Sequence, residues 1–236
     1  GYKFDVEIDE PDVSPLQVQG PDSSKLMSKV FGDWVNDLGF YKFKQVTHEG
    51  IPMVIARMGY SRELCYELFL QDSSKGNELW ELLWEAGQDF NISAGGPNII
   101  LRLEGGILSY LADIDRSNNP YEVGLDWLVD LDQEDDFIGK EALRLIRQNG
   151  PTKKLLGAEI HGDPIEDSNA DHWPVFIDGK EVGSMNAMVY SPRLDKNICY
   201  TILDIEHAKS GQEIVIVSPE KDLIATTVDL PWHERA

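Results

Sequence analysis

Side chains that could carry chemistry are scattered along the sequence and do not fall at the spacings of known metal or nucleophile sites. The five histidines share no metal-ligand spacing: His48, His161, His172, His207 and His233. The two cysteines, Cys65 and Cys199, form no Cys-x-x-Cys pair, and phosphate-loop, dinucleotide and Gly-x-Ser-x-Gly motifs are absent. We therefore predict no metal site, and residue types alone indicate neither an enzyme class nor a catalytic residue.

The acidic run from Asp130 to Asp136 is the one segment with the composition of a calcium loop. It lacks the turn glycine and the bidentate glutamate at the required positions. A solvated loop is therefore the favoured interpretation.

Charge and composition limit the possible partners. The chain has 236 residues, of which 42 are acidic and 21 basic, for a formal net charge of -21. Because nucleic-acid affinity comes mainly from basic side chains on phosphates, neither nucleic acid nor an anionic membrane is a predicted partner. No stretch approaches the roughly 18 apolar residues of a membrane span. With too few cysteines for a disulfide framework, a reducing, cytoplasmic setting is expected.

Apolar periodicity in the first 149 residues predicts strands interspersed with helices, which is the α+β class. Alternation predicts strands at 13–19, 40–46, 53–58 and 65–70. Helical spacing predicts one helix carrying Leu26, Met27, Val30 and Phe31, a second over 77–86 and a third over 97–112.

The chain begins with apolar residues that alternate with polar ones at Tyr2, Phe4, Val6 and Ile8, which predicts a strand. A chain that opens inside a patterned strand suggests a piece of a longer protein. The alternative is a native strand whose short leader has been removed.

Beyond residue 150 helix signals nearly vanish. Short predicted strands follow one another between turns, at 155–160, 174–177, 181–190, 198–202, 213–217 and 223–228. Such a series indicates a small all-β barrel or sandwich. We therefore predict two domains, 1–149 and 150–236.

Several segments, in order, resemble the aminomethyltransferase family, which includes the glycine-cleavage T-protein. Residues 15–21 (Pro-Leu-Gln-Val-Gln-Gly-Pro) are similar to its Leu-Gln-Gly-Pro strand and turn, and 59–67 (Gly-Tyr-Ser-Arg-Glu-Leu-Cys-Tyr-Glu) to its Gly-Tyr-Thr-Gly-Glu-x-Gly-Tyr-Glu signature. Further matches are 101–106, Tyr110, 113–115, 119–125 and 137–143. The resemblance implies a mixed α/β folate-binding domain, incomplete at its N-terminus, followed by a C-terminal β-barrel.

The resemblance also implies tetrahydrofolate as cofactor, a small-molecule substrate, and transfer of a methyl or aminomethyl group to N5 of tetrahydrofolate. The branch that demethylates dimethylsulfoniopropionate is the most similar. A non-catalytic folate-binding or regulatory relative is the alternative, and an interaction module with only the fold in common is a third. The resemblance implies no particular oligomeric state.

The positions that match the family motifs imply which residues bind the cofactor and the substrate. Glu67 occupies the place of a carboxylate that accepts the side-by-side amino and ring N–H groups of the pterin, and Tyr60 and Tyr66 flank it. Trp34, Tyr41 and Phe69 match an aromatic wall around a sulfonium centre, which cation–π contacts would stabilise. The alternatives are an exposed strand glutamate and aromatic residues that pack in the core.

Three positions depart from the family pattern. Signature glycines are replaced by Arg62 and Cys65, and an arginine expected shortly before residue 101 is replaced by Asn98. Loss of that arginine weakens the expected contact with the carboxylate tail of folate, unless Arg102 or Arg193 takes its place.

Overall fold

A computed structural model describes residues 5–168 and 171–232. The described chain divides into two compact units, 5–97 and 98–232. Both helices and sheets are present, so the α+β class is confirmed. The units are defined by compactness, and the domain boundary between residues 149 and 150 stays a prediction.

The first unit is built on a four-stranded antiparallel sheet. Its strands are β1 (Ser14–Gln19), β2 (Phe43–His48), β3 (Ile51–Ala56) and β4 (Cys65–Leu70), in the order β1-β4-β3-β2. Two helices follow the predicted apolar spacing, α1 (Ser23–Phe31) and α2 (Gly76–Gly87). Apolar residues of both helices and of the sheet form one buried core.

Alternation along β1 and β4 determines what each face of the sheet presents. Val18, Tyr66 and Leu68 belong to the buried core. Because successive side chains of a strand point to opposite faces, Gln17 and Glu67 lie on the other face. The two strands pair in register there, with Gln17 opposite Glu67.

The second unit contains a closed six-stranded barrel. The described residues of the second unit also form two α-helices, α3 (Ile99–Glu104) and α4 (Lys140–Asn149). The barrel strands are β5 (Lys153–Ile160), β6 (Trp173–Ile177), β7 (Lys180–Ser191), β8 (Lys196–Asp204), β9 (Glu213–Val217) and β10 (Asp222–Val228). They close in the order β10-β5-β8-β7-β6-β9 around apolar side chains. The predicted C-terminal barrel is confirmed.

Two predicted elements were wrong in extent. The helix predicted over 97–112 ends at Glu104, because Gly105 and Gly106 follow and Gly106 has φ +66°. The strand predicted at the start is not formed by residues 5–8, where Val6 is 60% and Ile8 88% exposed. The part of that prediction that concerns Tyr2 and Phe4 lies outside the described residues, as does His233.

No helix in the described ranges is both long enough and apolar enough to cross a membrane.

Candidate functional site

A cavity of about 960 Å³ lies in the first unit, along β1. One wall is β1 with the turn that follows it, together with Glu67 and Phe69 of β4. The opposite wall comes from α2 and from the segment 90–97. A volume of this size accommodates a drug-sized or cofactor-sized molecule.

Glu67 is the half-buried carboxylate of this cavity. Within the described residues its side chain has no hydrogen-bond or ion-pair partner. Burial raises the pKa of the Glu67 carboxyl above its ordinary value, because desolvation disfavours the charged form. A carboxylate left in this state gains from a ligand that brings N–H donors to it.

A short hydrogen-bond network holds the polar side chains beside Glu67. Gln17 Nε2 donates to Gln19 Oε1 over 3.0 Å, and Ser61 Oγ donates to the same oxygen over 2.8 Å. Gln17 Nε2 also lies 3.5 Å from Cys65 Sγ. The two amides are therefore held in fixed orientations at the polar end of the cavity.

The other end of the cavity is aromatic. Trp80 and Trp84 lie one turn apart on α2 and their rings stack, with centroids 5.9 Å apart and planes 10° apart. Leu83 and Phe90 extend this wall. A polar end with a carboxylate and an aromatic wall suit a flat heterocycle that carries N–H groups on one edge.

The two tyrosines predicted to flank the cofactor do not line the cavity. Tyr66 is 2% exposed, and its hydroxyl donates to the Val35 carbonyl over 3.4 Å, on the core face of β4. The Arg57 guanidinium lies 5.3 Å from the Tyr66 ring centroid. Tyr60 is 39% exposed in the turn before β4. Their roles in cofactor binding stay predictions.

Of the predicted aromatic wall, Phe69 alone lines the cavity. Trp34 is half-buried against the core, and the Lys44 ammonium already lies 4.3 Å from its ring centroid. Tyr41 is 57% exposed, with its ring 4.1 Å from that of Phe40. The structure does not bring these three residues together around one cavity, and a role in substrate binding stays a prediction for each.

The residues considered for the folate tail have structural contacts of their own. The side chain of Asn98 caps α3 by accepting from the backbone N–H groups of Ile100 and Leu101 over 2.9 and 3.1 Å. Arg102 is buried and ion-paired with Asp113. These contacts leave neither side chain available to a ligand tail. The Arg193 guanidinium lies 3.4 Å from Glu104 Oε2.

Sequence reasoning missed Gln17, Trp80 and Trp84 as cavity residues. The two tryptophans stand one turn apart, which signals a shared helix face but not what that face covers. The alternation along β1 predicts on which face of the sheet Gln17 lies. It does not predict that Gln17 lies opposite Glu67, because that depends on the register of β1 against β4.

The acidic run 130–136 shows no arrangement of ligands around a cation. Lys140 Nζ, at the start of α4, donates to the backbone carbonyls of Gln133 and Asp135 over 2.7 and 2.9 Å. Across the described residues, no group of three or more His, Cys, Asp or Glu side chains could hold a metal ion.

Fold and site together define a two-part protein, in which a sheet unit with a carboxylate-bearing cavity is followed by a closed barrel. The family model described as the GCVT N-terminal domain matches residues 2–133, and that of the glycine cleavage T-protein C-terminal barrel domain matches 153–233. The chain therefore belongs to the glycine cleavage T-protein family, as its motifs predicted.

Individual relatives agree with this assignment. A dimethylsulfoniopropionate demethylase of Ruegeria pomeroyi is 39% identical over 219 residues, covering 92% of this chain and 58% of the relative. An aminomethyltransferase of Halothermothrix orenii is 36% identical, covering 92% of this chain and 60% of the relative. The chain thus spans about three fifths of the length of these relatives.

A solved structure shows the same fold. The glycine cleavage system aminomethyltransferase T from Bartonella henselae superposes with a TM-score of 0.77 at 21% identity, over 94% of this chain and 60% of that one.

Proposed function

We propose that this chain binds tetrahydrofolate in the cavity along β1 and belongs to an enzyme that transfers a methyl or aminomethyl group to N5 of that cofactor. The observation that carries the proposal is Glu67, a half-buried carboxylate at the polar end of the cavity, without a partner among the described side chains and with a raised pKa. Family membership supports it, because the family uses tetrahydrofolate as the methyl acceptor.

The residues that line the cavity fit tetrahydrofolate. The reduced pterin carries an amino group next to a ring N–H, and a carboxylate accepts both in a fork that fixes orientation. Trp80 and Trp84, which stack on each other and line the cavity, offer aromatic surface to the ring system of the cofactor. Tetrahydrofolate supplies N5 as the acceptor, while the chain binds and orients it; no residue of the chain is assigned a catalytic role.

For the donor we propose a small sulfonium or amine compound similar to dimethylsulfoniopropionate. The name of the Ruegeria pomeroyi relative supports a sulfonium compound. A sulfonium methyl carbon is already electrophilic, so transfer forms the N5–CH3 bond as one C–S bond breaks. It leaves a neutral thioether, and N5 releases its proton to solvent. The negative surface of a chain with net charge -21 attracts cationic donors.

Equilibrium dialysis of tetrahydrofolate under nitrogen tests the binding proposal. We expect the parent chain to bind at micromolar concentration and Glu67→Gln to bind at least about tenfold more weakly, since a charge-assisted hydrogen bond is lost. Glu81→Gln is the matched control, because Glu81 is exposed on α2 and does not line the cavity. Unchanged binding of tetrahydrofolate by Glu67→Gln would contradict the assignment of Glu67 to the pterin.

Mass detection of 5-methyltetrahydrofolate tests methyl transfer, and mass detection of 5,10-methylenetetrahydrofolate tests aminomethyl transfer. The chain is incubated with tetrahydrofolate and each member of a panel of sulfonium and amine donors. Product from one donor identifies the substrate class. Tight binding of tetrahydrofolate with no product from any donor would favour a folate-binding relative without catalysis.

A further inference from the structure

Cys65, one of the two departures from the family signature, holds the Gln17 side chain in its orientation together with Gln19. The Cys65 thiol donates its hydrogen to the Met58 carbonyl over 2.6 Å, so toward Gln17 its sulfur can only accept. The Gln17 atom 3.5 Å from that sulfur must therefore be the amide nitrogen. Burial raises the pKa of Cys65 to about 11, which keeps the thiol protonated.

The same network fixes where the Gln17 carbonyl oxygen points. One hydrogen of Gln17 Nε2 is directed to Cys65 Sγ and the other to Gln19 Oε1. Both amide hydrogens are then used, and Oε1 faces away from these partners. It has no hydrogen bond within the part of the chain that the structure describes. Gln17 is therefore presented to the cavity as an acceptor only.

Gln17 stands directly opposite Glu67 in the β1–β4 pair, and both line the cavity. Side chains directly opposite one another in an antiparallel pair have Cβ atoms about 5 Å apart. Two acceptors at that spacing suit a ligand edge that carries N–H donors at two separate places. They disfavour a ring nitrogen lone pair at either of those two places.

We propose that Gln17 makes the cavity selective for the reduced pteridine, by accepting from the ring N8–H while Glu67 accepts from the amino group and N3–H. This rests on the proposed function and deepens it. Tetrahydrofolate and 7,8-dihydrofolate carry hydrogen on N8, whereas N8 of folic acid has only a lone pair. That lone pair would face the lone pairs of Gln17 Oε1. Cys65 and Gln19 are the positioning residues that maintain this polarity.

Dissociation constants for the three folates, measured by equilibrium dialysis under nitrogen, test the proposal. We expect the parent chain to prefer tetrahydrofolate and dihydrofolate to folic acid. Gln17→Met keeps the length of the side chain and removes its amide. It should weaken binding of both reduced folates about fivefold and leave folic acid unchanged or bound more tightly.

Two variants of Cys65 provide the positioning control. Cys65→Ala removes one of the two contacts that hold the amide nitrogen and leaves the one to Gln19 Oε1. Folic acid should therefore gain some affinity and the preference for reduced folates should fall, by less than in Gln17→Met. Cys65→Ser keeps a donor for the Met58 carbonyl and an acceptor for Gln17, so the preference should persist. If the role of Cys65 were purely structural, both variants would bind all three folates more weakly and by the same factor.

The outcomes separate this inference from the proposed function. If the parent chain binds no folate, the proposed function fails and the selectivity fails with it. If Glu67→Gln weakens binding but Gln17→Met leaves the preference unchanged, the cofactor assignment stands and the role of Gln17 is wrong. An equal loss of affinity for all three folates in Gln17→Met also overturns the proposed role of Gln17.

Discussion

Cys65 Sγ lies 1.7 Å from the place where a Cβ atom on Gly59 would stand. No real Cβ contact is that close, so position 59 cannot carry a side chain while position 65 is cysteine. The requirement for glycine at position 59 is therefore steric. The backbone φ of Gly59 lies outside the left-handed region and would itself allow another residue.

Gly59→Ala should therefore destabilise the protein by about 1 to 3 kcal/mol, because overpacking displaces Cys65 and the strand that bears it. The free energy of unfolding in urea is the measurement. The double variant Gly59→Ala with Cys65→Gly should recover most of the loss, since it removes the opposing sulfur. A double variant no more stable than the sum of its single changes would contradict the steric account.

Glu67→Gln should stabilise the ligand-free protein at neutral pH while it weakens folate binding. The raised pKa of Glu67 means that the fold favours its protonated form. Its contribution to stability is thus fully present below the ordinary glutamate pKa and is lost as pH rises through the higher pKa of the folded state. Because the side chain is half exposed, we expect a gain of only about 1 to 3 °C in Tm at pH 7.

Thermal unfolding of the parent and Glu67→Gln between pH 4 and pH 8 checks this pH dependence. The gain should shrink toward zero at the acid end, where the parent carboxyl is also neutral. Glu81→Gln should show no such trend, because Glu81 is exposed. A difference in Tm of the same size at every pH would exclude a titration of Glu67.

Arg62 adopts φ 57°, the left-handed region, at a place where the family signature has glycine. A residue with a Cβ atom pays about 1 to 2 kcal/mol in that conformation. Arg62→Gly should therefore be more stable than Arg62→Ala by about 1 kcal/mol, measured as the free energy of unfolding in urea. Both changes remove the same side chain, so their difference isolates the backbone. Equal stability would mean that the turn relaxes without cost.

Asn98 contributes to stability through the cap that it makes on α3. Asn98→Ala should cost about 1 kcal/mol of unfolding free energy, because two backbone N–H groups lose their acceptor. Asn98→Asp keeps an acceptor and should cost little. Asn98→Arg, which introduces the arginine expected from the family, should destabilise as much as alanine does. An arginine variant as stable as the parent would show that the cap is dispensable.

The sequence predicted the elements well where one period extended over a whole element. The alternation of residues 65–70 predicted β4 with its observed bounds, and every strand of the barrel was expected within a few residues. The helix over 97–112 was extended too far, because Ile107 and Leu111 continued the apolar spacing across Gly105 and Gly106. A glycine pair ends a helix even where the hydrophobic pattern continues.

The candidate site was harder to predict than the fold. Alternation places Glu67 and Tyr66 on opposite faces of β4, and only the structure shows that Glu67 lines the cavity while Tyr66 is buried in the core. The acceptor polarity of Gln17 depends on a contact with Cys65, 48 residues away in the chain. Periodicity carries no information on contacts between elements of that kind.

Arg102 and Asp113 form a buried ion pair in the second unit, with side chains 7% and 0% exposed. Arg102 Nη1 also donates to the Ile107 carbonyl over 3.0 Å, and Asp113 Oδ2 accepts from the Ser109 backbone N–H over 2.6 Å. The pair therefore closes the turn that follows α3. Removing one partner leaves the other as an uncompensated buried charge, which is costlier than losing both.

Asp113→Ala should reduce the free energy of unfolding by about 3 to 5 kcal/mol, measured in urea. Arg102→Met combined with Asp113→Ala should cost less than Asp113→Ala alone, because no charge is then left buried. Asp132→Ala is the control at an exposed aspartate and should stay within about 0.5 kcal/mol of the parent. If the double variant proves less stable than Asp113→Ala, an unpaired Arg102 is not costly at this place and this account of the pair is wrong.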